Sequence, residues 1–231
     1  MHILLVGTGA MGKVVANEIS LSSHTFTSVR DLKKPINEKF DLIIDFSHCS
    51  NLIDIRNFAI NNSLPTVIAT TGYTQEEFNE ITHLSQKVPV LYSANFSLGI
   101  TLLNRIANLV TEVLSGDFDI EVLEKHHKHK SDAPSGTTNM LINTINKNLN
   151  YKLSHGRCGI GKRNEKEIGV HTIRGGSIVG EHEILFAGDN EVFSIKHEAT
   201  SKVIFAKGAI KGASWLLNKD KGLYSMEDVI F

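Results

Sequence analysis

The chain has 231 residues, a formal net charge of -1, 41% hydrophobic and 21% charged residues, and two cysteines. At about 150 residues per domain the length predicts one large domain or two modest ones, and the apolar fraction supports a sizeable core rather than a disordered chain. No apolar run reaches the ~18 residues of a membrane span, no signal peptide is visible, and the balanced charge argues against a polyanionic partner. A soluble cytoplasmic protein without nucleic-acid or membrane partners is expected. Cys49 and Cys158 are too few for a disulfide framework or a zinc site.

The first 96 residues read as alternating strands and helices. Strands are predicted at 2–6, 25–30, 41–46, 65–69 and 89–92, with helices at about 10–21, 51–61 and 75–86. Short β-rich runs separated by helices imply a doubly wound parallel sheet, a Rossmann-type α/β domain. Past Asn95 the pattern changes. Residues 98–114 form an amphipathic helix, with Leu102, Leu103, Ile106, Leu109, Val110 and Val113 at helical spacing. A strand at 118–124 and a helix from Ser135 to about 148 follow. The polar, glycine-rich stretch 152–166 is expected to be a long loop. Three strands, 170–174, 178–187 and 191–198, are joined by Gly175-Gly176 and by Gly188-Asp189-Asn190, both of which read as hairpin turns. Ser201 is placed as the cap of a closing helix to Leu217, with Phe205, Ala209, Ala213 and Leu216 on one side. The expected division is a dinucleotide domain, 1–96 completed by 201–231, and an α+β domain, 97–200, with a mixed or antiparallel sheet.

Gly7-Thr8-Gly9-Ala10-Met11-Gly12 matches G-x-G-x-x-G between a strand and a helix. The first glycine permits the tight turn, the second lets a pyrophosphate approach the backbone, and the third brings helix and strand together. Residues 7–13 also begin a G-x-x-x-x-G-K triphosphate loop, but Val14 stands where a magnesium-binding Ser or Thr is needed. At the end of the second strand an acid suits adenosine ribose hydroxyls and an arginine suits a 2′-phosphate. Arg30 and Asp31 stand there side by side, so both NADH and NADPH are physically possible.

The run His126-His127-Lys128-His129-Lys130-Ser131-Asp132-Ala133-Pro134-Ser135-Gly136-Thr137 follows a strand and opens a helix. Histidine titrates near neutrality and suits proton transfer. Lys130 adds a cation, and the helix start at Ser135, Gly136 and Thr137 offers N–H groups and hydroxyls to a carboxylate. Together they suit a small carboxylate substrate. Successive side chains of His126, His127 and His129 diverge, so no metal centre is expected. No aromatic residue interleaves the basic ones, which argues against nucleic acid. Neither cysteine has an activating neighbour for thiol catalysis.

The segment from Glu124 to Thr137 resembles the E-x-H-H-x-x-K-x-D-A-P-S-G-T signature of the 4-hydroxy-tetrahydrodipicolinate (dihydrodipicolinate) reductases. Flanking matches run in order along the chain: the glycine loop, Asp45-Phe46-Ser47, Ala69-Thr70-Thr71-Gly72, Ser93-Ala94-Asn95-Phe96-Ser97 and residues 174–183 from Arg174 to Glu183. The resemblance implies reduction of a cyclic imine dicarboxylate by NADH or NADPH to tetrahydrodipicolinate, on the route to diaminopimelate and lysine. It implies His126 as proton donor and acceptor, Lys130 as second proton donor, and His127, Gly136 and Thr137 as carboxylate ligands, beside Ser135. It further implies that 7–12, Ala69, Thr70, Thr71, Ser93, Ala94, Asn95 and Phe96 line the dinucleotide site, and that the protein is a homotetramer built through sheets of the second domain. The alternatives are another two-domain NAD(P)-dependent oxidoreductase of a small carboxylate, or a dinucleotide sensor without turnover.

Overall fold

The structure, a computed structural model, describes residues 1–231. The chain forms two units, Met1–Leu98 with Lys202–Phe231, and Gly99–Ser201.

The first unit is a six-stranded sheet of β1 (His2–Val6), β2 (Thr25–Val29), β3 (Leu42–Asp45), β4 (Thr66–Ile68), β5 (Pro89–Tyr92) and β11 (Gly222–Tyr224). The strand order is β11-β5-β4-β3-β1-β2, and every pairing is parallel. Helices cover both faces, which is why β1 and β3 read as unbroken apolar runs. On one face α1 (Ala10–Ser20) and α6 (Val203–Leu216) bury Val15, Ile19, Ala206, Ala213 and Leu216 against Ile3, Leu5 and Leu91. On the other, α2 (Leu52–Asn62) and α3 (Gln75–Ser85) bury Ile55, Ala59, Ile81 and Leu84 against Leu4, Val6, Ile43 and Val90. Winding reverses between β1 and β3, so the loops after those two strands flank the crevice where such sheets bind ligands.

The second unit is a five-stranded mixed sheet, ordered β10-β9-β6-β8-β7. Central β6 (Asp119–His126) runs parallel to β8 (Glu167–Arg174) and antiparallel to β9 (Gly180–Ala187). The outer strands are β10 (Val192–Ala199), antiparallel to β9, and β7 (Lys152–His155), parallel to β8. Helices α4 (Leu98–Leu114) and α5 (Gly136–Asn146) bury Ile100, Leu103, Leu141 and Ile145 against Ile120, Val122, Ile168, Val170, Ile184 and Phe186. Alternation along β6 therefore sends Ile120, Val122, Glu124 and His126 to this inner face.

The fold class is the one read from the sequence, with local corrections. Gly175-Gly176 does not close a hairpin: β8 and β9 lie on opposite sides of β6, so the connection passes over its end. Gly188-Asp189-Asn190 does join paired antiparallel strands. The face of α4 differs as well. Leu102, Leu109 and Val113 are exposed, whereas Ile100, Thr101, Leu103, Ala107 and Thr111 are buried. The Thr111 hydroxyl donates to the Ala107 carbonyl at 2.7 Å, which removes the cost of burying it. The expected loop 152–166 contains β7, an exposed edge strand without apolar alternation. Lys202, not Ser201, holds the N-cap position of α6, and its own side chain makes no capping bond. The final residues add β11 and the short helix α7 (Met226–Ile230) to the first unit. No helix is long and apolar enough to cross a membrane.

Candidate active site

In the first unit the loop after β1 is shaped by the space its glycines leave. Gly7 has φ of 115°, and its N–H donates to the Val29 carbonyl at 2.8 Å. A Cβ on Gly7 would lie 2.3 Å from the Phe46 carbonyl oxygen, and one on Gly12 would lie 1.9 Å from the Gly7 carbonyl oxygen. The loop thus exists only without those side chains. Thr8, Gly9 and Ala10 are exposed, Met11 is half-buried, and α1 starts at Gly9 with no side-chain cap and no acid in its first turn. Such a helix start has unpaired N–H groups and a positive dipole end, so it fits a diphosphate.

Around it lie the other residues expected at the dinucleotide. Arg30 is exposed directly after β2, and the half-buried Asp31 accepts the Lys33 N–H at 3.2 Å. Ala69 donates its N–H to the Asp45 carbonyl, the buried Thr70 accepts the Ser47 N–H at 2.9 Å, and Thr71 is exposed. Asp45, at the end of β3, has a structural part in this region. It is fully buried, where desolvation pushes its carboxyl up against the opposing bonds of Ser47 and Thr70. It thereby ties the post-β3 turn to the post-β4 loop. After β5, the Ser93 hydroxyl donates to the Asn95 carbonyl at 2.7 Å, Ala94 is exposed, and Asn95 accepts the Ser97 N–H at 2.8 Å. Phe96 is a core residue: its ring is buried against Phe46, and its carbonyl lies where a Cβ on Gly208 would be.

In the second unit three strand ends converge. Register sets Glu124 opposite His182 of β9 and Thr172 of β8, and His126 opposite Arg174. Glu124 is fully buried and His126 is 8% exposed. The Glu124 Oε2 is in close contact with His126 Nδ1. Its Oε1 accepts both the Ser135 N–H at 3.1 Å and Arg174 Nη2 at 2.8 Å. Burial alone would push this carboxyl up, but bonding to His126 and Arg174 outweighs it and holds the group at about 2. Arg174 Nη2 also donates to the Asp132 carbonyl at 2.6 Å, anchoring the loop that carries Lys130. The ring of His126 meets that of His182 edge-on, with centroids 5.2 Å apart. Burial, and then the neighbouring His126, push His182 down to about 4, which keeps the His182 ring neutral near pH 7.

The expected residues separate by role. His126 ends β6 on the inner face, and Lys130 pairs with Asp132 at 2.7 Å in the turn beyond. His127 is half-buried, with its ring 6.4 Å from that of His129. Ser135 is buried and turned inward. Its hydroxyl accepts the Thr138 N–H at 3.1 Å as the N-cap of α5, and also meets Thr138 Oγ1 and His182 Nε2. Gly136, exposed, and Thr137, half-buried, form the first helical turn. Glu124, Arg174 and His182 were not singled out for chemistry. The available signal was Glu-x-His on a strand, a spacing that puts both side chains on one face. Ligand atoms of Glu124, His126 and His182 lie within 4.8 Å of one another. The Arg174 guanidinium already neutralises the carboxylate, however, so the donor set suits a proton relay better than a cation.

Two family profiles match the chain: dihydrodipicolinate reductase, N-terminus, over residues 18–96, and dihydrodipicolinate reductase, C-terminus, over 99–230. The chain is 43% identical over 240 residues to the 4-hydroxy-tetrahydrodipicolinate reductase of Brachyspira hyodysenteriae, covering 100% of both proteins. It is 41% identical over 245 residues to that of Clostridium novyi, covering 99% of this chain and 97% of that one. Its fold is similar to that of dipicolinate-bound dihydrodipicolinate reductase from Paenisporosarcina sp. TG-14, with a TM-score of 0.79, 20% identity, and coverage of 100% and 99%. With both family profiles matched in order and relatives aligned along its whole length, the chain belongs to the 4-hydroxy-tetrahydrodipicolinate reductase family.

Proposed function

We propose that the protein reduces dihydrodipicolinate, the cyclic imine dicarboxylate formed from 4-hydroxy-tetrahydrodipicolinate, to tetrahydrodipicolinate in diaminopimelate and lysine biosynthesis. The observation that carries the chemistry is His126 at the end of β6, backed by a buried carboxylate and followed within four residues by Lys130. When bound, NADH or NADPH supplies a hydride to the conjugated ring. Residues 7–12 hold the diphosphate at the start of α1, while Ala69, Thr70, Thr71 and 93–96 border the nicotinamide half. Exposed Arg30 suits a 2′-phosphate and Asp31 suits ribose hydroxyls, so both nucleotides are used.

His126 protonates the ring atom beside the reduced carbon, where negative charge accumulates, and Lys130 is the second proton donor. Such a positioned acid is typically worth about 10²–10⁴ in rate. His127, Gly136 and Thr137 bind substrate carboxylate, and orientation of the planar diacid adds to the acceleration. Ser135 acts one step back, by capping the helix that offers those N–H groups. The nucleotide and substrate tasks thus fall to 1–96 with 201–231 and to 97–200 respectively. The sheet face of the second unit opposite α4 and α5 carries Lys125, His171, Ile173, Glu181 and Lys196, and provides the surface for a homotetramer.

Mixing the protein with NADH or NADPH and freshly prepared dihydrodipicolinate, and following the nicotinamide absorbance, tests the assignment. Consumption is expected with this substrate and not with unrelated small carboxylates. Nucleotide binding without consumption would establish a sensor instead. Fluorescence titration of both nucleotides is expected to give similar affinities, and light scattering in solution a tetramer.

A further inference from the structure

We propose that Glu124 is a positioning residue that fixes the tautomer of His126, holding a proton on Nδ1 so that Nε2 is the atom presented for proton transfer. The proposal rests on the role given to His126 above and extends it to the fully buried residue behind that ring.

The Glu124 carboxylate has its Oε1 held by hydrogen bonds and its Oε2 in ion-pair contact with His126. Oε1 is held by two donors from different elements, the Ser135 N–H at the head of α5 and Arg174 Nη2 on β8. Neither donor can become an acceptor, since a backbone amide and a guanidinium only donate. Oε1 is therefore locked, and with it the plane of the carboxylate, leaving Oε2 to meet His126 Nδ1. A carboxylate accepts only, so in the neutral ring the shared proton resides on Nδ1 and Nε2 carries the lone pair; in the charged ring Nε2 bears the proton to be delivered. At the far side of the ring, Nε2 lies 3.1 Å from where a Cβ on Gly180 would stand. The glycine leaves room around the working nitrogen that any side chain would take. The remaining charged or titratable groups near the pair are His182 on β9, which burial keeps neutral, Lys130 with Asp132 in the loop after β6, and His197 on β10 near His182.

The same geometry predicts why Glu124→Gln is harmful although it preserves shape. The two donors at Oε1 force the amide oxygen to stay there, and the amide NH2 then faces Nδ1. The neutral ring must take the opposite tautomer, and the charged ring would face a donor with a donor. An equivalent exchange in serine-protease triads costs about 10⁴ in kcat through the wrong tautomer. Here a loss of at least about 100-fold in kcat is expected, with the KM for nucleotide unchanged.

The experiment combines three variants with a spectrum. Glu124→Gln, His126→Gln and the double variant are assayed for kcat and nucleotide KM. In parallel, nitrogen-15 spectra of the unmutated, histidine-labelled protein report which ring nitrogen of neutral His126 is protonated. Expected are Nδ1 protonation in the unmutated protein, inversion in Glu124→Gln, and a double variant no slower than His126→Gln alone. Full turnover by His126→Gln would remove the catalytic reading itself. Impairment of His126→Gln with normal kcat in Glu124→Gln, or a proton on Nε2 in the unmutated protein, would overturn only the positioning role. The spectrum of the unmutated protein decides the matter even if Glu124→Gln fails to fold.

Discussion

Two strand ends, that of β1 and that of β6, each feed a loop that opens a helix, and they are built from opposite materials. After β1 the loop is made of missing side chains: Gly7 and Gly12 fit where a Cβ would strike backbone, and no charge is buried among residues 7–12. After β6 the construction depends on charged and titratable groups: Glu124, His126, Arg174, His182, Lys130 and Asp132 within one network. A bound phosphate needs only donors fixed in direction, which backbone supplies without a titrating group. Delivery of a proton needs a group that changes charge, and such a group must be surrounded by others that hold its geometry while it does so.

The largest effect is expected from removing the titrating group. His126→Gln is expected to lower kcat by about 10²–10⁴ while nucleotide affinity stays intact; a turnover assay beside a fluorescence titration separates the two. Gly12→Val should act in reverse. Its side chain cannot be accommodated against the Gly7 carbonyl, and overpacking of about 1–3 kcal/mol predicts roughly tenfold or greater loss of nucleotide affinity. Unchanged binding would show that the loop is not the phosphate cradle.

Acid sharpens the contrast further. His182 is depressed from 6.5 to about 4, so its neutral form stabilises the fold above pH 6.5 and that contribution is lost as pH falls through 4. Glu124 is depressed from 4.5 to about 2, so its contribution is present above 4.5 and is lost as pH falls toward 2. Chemical unfolding as a function of pH should therefore show two successive losses, and His182→Gln should remove the upper one. If its stability profile between pH 6.5 and 4 matches that of the unmutated protein, the neutral-histidine account fails. The smallest effect belongs to the outer sheet face. Lys125→Ala breaks a partly exposed pair with Glu181 at 2.5 Å and should cost about 0–1 kcal/mol in thermal or denaturant unfolding of the protomer.

How much of this was legible depends on whether the determinants were local. The glycine loop, the Ser135 cap and the His126–Lys130 spacing are contiguous, and each could be read where it stands. The strand was expected to end at Glu124, but β6 runs on to His126, and its period of two sets Ile120, Val122, Glu124 and His126 on one face. Arg174 and His182 were not legible as site members, because they lie 48 and 56 residues from His126 and reach it only through strand order. The same cause hid the fate of Gly175-Gly176: glycines announce a bend, but not that β6 lies between the strands they connect. The face of α4 was misassigned for a different reason. Hydrophobicity favoured Leu102, Leu109 and Val113, whereas the buried face carries Ile100, Leu103, Ala107 and two threonines. β7 was missed because an edge strand can be held by backbone pairing alone.

The contribution of residues 202–231 to the first unit has a consequence for synthesis on the ribosome. Leu91 and Phe96 share a cluster with Ala206, Ala209, Ala213, Leu216 and Met226, so the apolar surface of β5 waits, uncovered, through translation of more than one hundred intervening residues. The opposite face of that sheet has all its partners, Ile55, Ile81 and Leu84 among them, before residue 96 is reached. That face of the nascent sheet is thus completed only once residues 202–231 have been made.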